Sequence, residues 1–287
     1  MGSLLAAELL KVRKRWLPYG LVLFMIGGAA IVIWVGGYAE WHDQNDLQYR
    51  QTSLHTFAFP WSIPSLLDSG QFWGALFVGI LVSSVVATEY NWGTVRQALI
   101  RGQSRTQYLA VKLAGLVLVS ALSLLLALAA GLGFSLLATS FADQPITLDV
   151  PDGPSAPEVA LMILRAGYAV IPYGMLAFCL AVVGRSTAIG AAGVMAYIIA
   201  ESITLAIFNE SGTFLHDLRD LFPGHYAQAL MGANRIGTGE YNHIAFRELP
   251  VPSELPDPNV AALVLALYSL AFLAIAVYVF RRRDLRA

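Results

Sequence analysis

The residues able to do chemistry are few, and most of the common catalytic arrangements are missing. A nucleotide-hydrolysing loop of the form G-x-x-x-x-G-K-[ST] needs a lysine after glycine to reach the phosphates. The chain has three lysines, Lys11, Lys14 and Lys112, and none follows a glycine. The glycine-rich stretch GRSTAIG at 184–190 lacks that lysine. No H-E-x-x-H zinc motif and no G-x-S-x-G nucleophile elbow occurs. His216 and Asp220 stand at i, i+4 with His225 nearby, a spacing that can hold a metal, but they read better as wet loop residues, and no metal site is expected. The single cysteine, Cys179, lies in an apolar run and reads as a small buried hydrophobe. The chain is therefore not expected to be an enzyme.

Two ionisable residues are different, because they fall inside apolar stretches where charge is costly. Arg165 and Glu201 lie on consecutive stretches joined by a very short turn, so antiparallel packing would bring them to similar depth. They are expected to pair or share a polar network. Glu201 then either completes a structural ion pair or faces a pathway and takes part in gating.

The elements that must position these residues follow from hydropathy. Apolar residues make up 57% of the 287 and charged ones only 13%, where a soluble domain carries roughly 25% charged residues. So apolar a chain needs a membrane as solvent. Six stretches reach the roughly 20 residues that a helix needs to cross the hydrocarbon core: 17–38, 70–88, 109–139, 159–183, 187–208 and 260–280. The expected fold is an all-α membrane protein, one transmembrane domain over 1–287. The first stretch is too long for a signal-peptide core and reads as a retained helix.

Charge sets the orientation. Thirteen basic residues fall with three acidic ones on the N-terminus, the second-to-third connection, the turn at Arg185 and the C-terminal tail. The opposite side has five basic and fifteen acidic residues. By the positive-inside rule both termini are cytoplasmic. The tryptophans, Trp16, Trp34, Trp41, Trp61, Trp73 and Trp92, fall at or just past the expected span ends, where indoles favour the headgroup region. Residues 3–15 read as an amphipathic helix lying in the interface. The large external loop, 209–259, should hold short helical structure, an amphipathic turn over 214–222 stopped by Pro223-Gly224. The Pro-rich loop 140–158 reads as irregular.

The connection TEYNWGTVRQALIRGQSRTQYLAVK, residues 88–112, mixes charge with Trp92, Val95, Leu99 and Ile100, so a short helix there keeps one face for a partner. In these residues the chain resembles the membrane-spanning permease subunits of type-2 ATP-binding-cassette (ABC) transporters. Those subunits show an acidic residue, a G-T-[VI]-R run, a Ser-Arg turn and a lysine opening the third span. Here these are Glu89, Gly93-Thr94-Val95-Arg96, Gly102-Gln103-Ser104-Arg105 and Lys112.

The resemblance implies a permease subunit of an ABC exporter in a bacterial cell membrane. It would form the substrate pathway as a homodimer, with a lipid bilayer and no nucleic acid around it, and be coupled to a separate ATPase subunit carrying ATP and Mg. It also implies that the connection 89–108 is a coupling helix. Glu89, Gly93, Thr94, Arg96, Gly102, Ser104 and Arg105 would transmit ATPase movement, with Arg185 as a second contact. The competing reading is a secondary transporter or channel not powered by ATP. It would favour inverted repeats and several charges near the midplane, which the sequence does not display.

Overall fold

In the computed structural model, residues 2–43, 45–100, 104–147, 154–210, 218–234, 243–244, 247–248 and 255–282 are described. They are almost wholly helical. The elements in chain order are α1 (Gly2–Arg13), α2 (Trp16–Ile33), a π-helical segment (Trp34–Ala39), α3 (Glu40–Asp43), α4 (Leu47–Phe57), α5 (Ser62–Asn91), α6 (Thr94–Ile100), α7 (Arg105–Phe141), α8 (Ala156–Gly184) and α9 (Thr187–Glu210). A 3₁₀ turn (Leu218–Leu221), α10 (Pro223–Gly232), a minimal antiparallel pair β1 (His243–Ile244) and β2 (Arg247–Glu248), and α11 (Pro258–Arg282) complete it.

Six helical stretches are long and apolar enough to cross a membrane: Trp16–Asp43, Ser62–Tyr90, Arg105–Phe141, Ala156–Gly184, Thr187–Phe208 and Pro258–Arg282. Their order and number follow the hydropathy of the sequence. α5 and α8 form the buried centre and pack on each other; α9 packs on both, α11 packs on α8, and α2 and α7 pack on each other and on α5. Close contact at the centre depends on small residues, as expected where lipid removes the hydrophobic drive between helices. A Cβ on Gly174 would come within 2.9 Å of Val78, and one on Gly79 within 2.8 Å of Val194. The outer helices turn Leu23, Leu122, Leu126, Leu263 and Leu267 outward, a pattern that suits hydrocarbon and not water.

Three boundaries differ from the sequence expectation. α5 starts at Ser62, eight residues before the apolar run, because Pro64 suits a first helical turn and Ser62 bonds the buried Ser135 hydroxyl at 2.6 Å. Trp73 is therefore three turns inside α5 and not at its end. Much of the loop expected over 39–69 is helical: α4 packs against the π segment, where Phe57 Cβ lies 2.7 Å from the Cβ position of Gly37. Pro223-Gly224 begin a helix instead of stopping one, since proline lacks only an N–H that the first turn leaves unused. Of the amphipathic turn expected over 214–222, residues 214–217 lie outside the described residues and Leu218–Leu221 form a 3₁₀ turn.

α1 spans 2–13, close to the expected 3–15. Val12 is buried and Leu10 is half exposed, so one face docks on the bundle and the other is available to an interface. Ser155 opens α8: the Glu158 carboxylate accepts from its backbone N–H at 2.7 Å and from its hydroxyl at 2.6 Å, a capping arrangement.

Candidate functional site

The connection between the second and third spans is built from its turns inward. α5 ends because Gly93 adopts φ +66°, a left-handed conformation that glycine takes without Cβ strain. Trp92 N–H donates to Thr88 O, Gly93 N–H to Tyr90 O, and the Thr94 hydroxyl to Glu89 O at 3.2 Å. The chain then turns into α6, where Val95 is buried while Ile100 is 75% exposed. Ser104 caps α7 by accepting from Gln107 N–H at 3.1 Å. Arg105 donates to Arg281 O at 2.5 Å and Phe280 O at 3.3 Å, tying the start of α7 to the carbonyl-rich end of α11, where a cation is favoured.

Behind this surface lies an ion-pair cluster that the sequence reading did not assemble. Lys112 Nζ is 2.6 Å from Glu8 and 2.8 Å from Glu89; Lys11 Nζ is 2.5 Å from Glu8 and 3.1 Å from Glu89. Two cations thus alternate with two carboxylates. Tyr108 donates its hydroxyl to Glu89 and stacks on Phe280. Glu89 and Lys112 are buried and Glu8 nearly so, while the Lys11 side chain is half exposed. The cluster joins α1, the end of α5 and the start of α7, so α1 and both arms of the connection are tied together.

Lys11 lies outside the spans and carries a pH signature. Partial burial pulls its ammonium down, but the hydrogen bond to Glu8 and the charge of Glu89 outweigh it and hold its pKa above the ordinary 10.5. A raised folded pKa means a contribution fully present below about pH 10.5 and lost as pH rises through the higher folded value. The part of α1 docking that rests on the Lys11 charge should therefore be constant with pH near neutrality and be lost in strong alkali. Amide hydrogen exchange over 2–13 on either side of that range checks this.

At the other end, α10 is the organising element. It is buried against α8 and α11, and Glu201 and Arg165 hold its two ends. The Glu201 carboxylate accepts from Gly224 N–H at 2.8 Å, from the Tyr197 hydroxyl at 3.2 Å and from the Tyr173 hydroxyl at 2.7 Å. Gly224 is required by space: a Cβ there would lie 2.8 Å from Glu201 Cδ and 2.9 Å from Leu205. Arg165 donates to Ala233 O at 2.9 Å and Asn234 Oδ1 at 3.3 Å. A carboxylate at the N-terminus and a guanidinium at the C-terminus complement the helix dipole. Of the two arrangements expected for Arg165 and Glu201, a direct pair is not the one formed: each residue answers an end of α10. His225 is also corrected, being fully buried, with Nε2 3.3 Å from Asp220; His216 lies outside the described residues.

Of the residues singled out from sequence, Glu89, Gly93, Thr94, Ser104 and Arg105 fall together at the end of the bundle that carries α1. Arg96 lies on α6, although its side chain is outside the description, as is the whole of Gly102. Arg185 caps α8 in a left-handed conformation, φ 50°, in the turn to α9. Sequence reasoning missed Glu8, Lys11, Tyr108, Tyr173, Tyr197 and Asn234. The one available signal was Glu8, the only acidic residue in a basic helix and three positions before Lys11.

Six helices of membrane-crossing length and apolarity, with buried charged residues held near both ends, define a multi-pass membrane protein. The chain belongs to the family described as Protein of unknown function (DUF2705), which matches residues 51–286. Among curated proteins, none matches the chain.

Proposed function

We propose that this chain is the membrane-spanning permease subunit of an ABC exporter of the type-2 class, with both termini cytoplasmic in a bacterial cell membrane. It works as a homodimer, and ATP and Mg are handled by a separate ATPase subunit. The observation that carries this reading is the connection between the second and third spans. Its sequence resembles the corresponding connection of type-2 ABC permeases, and its short helix α6 lies between two long helices with Ile100 outward.

A helix so joined converts a push from a partner into a tilt of both spans, a rigid-body form of switching. The cluster of Glu8, Lys11, Glu89 and Lys112 supports it by removing slack between α5 and α7. Glu89 then acts by holding the connection stiff and not by touching the partner. Gly93, Thr94 and Ser104 shape the turns, and Arg105 braces α7 on α11.

The chain isolated in mild detergent from its native membrane should bring an ATPase with it. Ile100→Asp should abolish that co-purification while leaving thermal unfolding unchanged, since a surface substitution usually moves stability by less than about 0.5 kcal/mol. Transport by the purified chain with no ATPase present would sink the proposal and favour an ion-driven carrier or channel.

A further inference from the structure

α11 is the least buried of the six spans, and most of its outward residues are apolar and suit any lipid chain. Its last three turns are different. Leu270, Leu273, Ala274, Val277 and Tyr278 recur at helical spacing and form a stripe that ends on Arg281 and Arg282. Leu273 and Val277 are sunk against the core while Leu270 and Tyr278 stand outward, so the stripe is a shallow hollow along the helix. Leu270 and Arg281 lie about 16 Å apart by helix rise, and one leaflet of the hydrocarbon core is about 15 Å deep. The stripe therefore runs from mid-membrane to the headgroup level.

The two arginines select what covers it. Among the described residues no carboxylate pairs with either guanidinium. Other cations at this end of the bundle are engaged: Lys11 and Lys112 hold Glu8 and Glu89, and Arg15 lies over Trp92. Arg105, bonded to the carbonyls of Phe280 and Arg281, adds a third positive charge at the same helix end. Arg282 sits over the Tyr278 ring at 4.7 Å, a contact that holds the guanidinium beside the stripe.

An occupant must bring negative charge to the headgroup level and an apolar chain about one leaflet long. A second copy of this chain brings the wrong charge. Two copies inserted the same way and meeting on this stripe would set Arg281 and Arg282 against themselves, and like charges repel. At its opposite end α11 begins after Asp257, whose carboxylate caps the first turn, so the preference for an anion belongs to one leaflet.

We propose that this end of α11 is a binding site for an anionic phospholipid, with its phosphate on Arg281 and Arg282 and an acyl chain along the stripe. The planar fork of arginine suits phosphate oxygens, which it can meet with two parallel bonds. The site belongs to a single chain and needs neither nucleotide nor a partner, so it stands or falls apart from the ATPase reading.

Native mass spectrometry of the full chain released from mixed micelles tests the site, with phosphatidylglycerol and phosphatidylcholine of identical acyl chains as probes. One phosphatidylglycerol per chain should bind about ten- to thirtyfold more tightly than phosphatidylcholine, the effect of two cations beside a charged headgroup. Arg281→Gln with Arg282→Gln should bring that ratio close to one while thermal unfolding stays unchanged. Arg13→Gln with Lys14→Gln removes two exposed cations from the same end of the bundle and should leave the ratio as it was. Ala274→Trp, which blocks the stripe and keeps both guanidiniums, should weaken binding of phosphatidylglycerol. Equal binding of the two lipids overturns the proposal. So does an equal loss of preference in the two charge-removed variants, which means a diffuse surface charge, or unchanged binding in Ala274→Trp, which means no chain site. Disulfide formation between copies of Leu270→Cys, made in a Cys179→Ser background and oxidised in native membranes, shows a second copy on the stripe and overturns it as well.

Discussion

Replacing Lys112 with methionine should destabilise the folded chain by about 3–5 kcal/mol, the usual result of removing one partner from a buried ion pair. Methionine keeps the length and apolar character of the stem, so the loss reports the ammonium and little packing. That ammonium lies 2.6 Å from Glu8 and 2.8 Å from Glu89, and its side chain is 3% exposed. Without it two buried carboxylates share the half-exposed Lys11. Lys11→Met should cost far less, within the roughly 0–1 kcal/mol of exposed pairs, because water and Lys112 still serve the carboxylates. Glu89→Gln combined with Lys112→Met balances the remaining charges, and a coupling of about 2–3 kcal/mol should appear in the double-mutant cycle. Denaturant unfolding in mixed micelles measures all four forms. Equal losses for Lys11→Met and Lys112→Met would show that the cluster is solvated and does not lock α1 to the connection.

The contrast between the two lysines also shows what the sequence could reveal. The six spans were legible because twenty apolar residues in a row have few other uses, and the basic end was legible because charge bias is additive along the chain. Glu89 and Lys112 were visible as parts of a motif. Their partner Glu8 was not, since a contact between residues 104 apart depends on how α1 docks, and periodicity does not encode docking. The start of α5 was missed for a related reason. Its first turns are polar and held by Ser62–Ser135 and by Thr139, which accepts from Phe59 N–H at 2.8 Å, and a hydropathy window cannot see a cross-helix hydrogen bond. Arg165 and Glu201 were rightly marked as costly, yet paired with each other, because helix rise gives depth but not the presence of α10 between them. Pro223-Gly224 misled for the opposite reason: the same two residues can end a helix or begin one, and the polar groups that meet the freed N–H decide which.

That last point sets the size of the effect expected at Glu201. Glu201→Ala removes the acceptor for Gly224 N–H and for the buried Tyr173 hydroxyl. The expected loss is about 3–5 kcal/mol, because buried donors left unmade each cost about 1–3 kcal/mol and the carboxylate's charge-assisted bonds go with them. Glu201→Gln should cost only about 1–2 kcal/mol. Its amide oxygen can still accept from Gly224 N–H and the Tyr197 hydroxyl, and only the Tyr173 contact must turn. Arg165→Met frees the other end of α10 and should fall between them, since Asn234 still donates to Met162 O. If Glu201 and Arg165 clamp α10, amide exchange over 224–232 rises in Glu201→Ala and in Arg165→Met, most at the end that lost its partner. Protection of α10 unchanged by Glu201→Ala would refute the clamp. Transport then separates structure from pathway. With the helix still docked in Glu201→Gln, retained transport assigns the carboxylate to holding α10, and lost transport assigns it to the route of the cargo. Three protein donors converge on both carboxylate oxygens, and Gly224 is kept bare to let it approach, so the geometry favours the first.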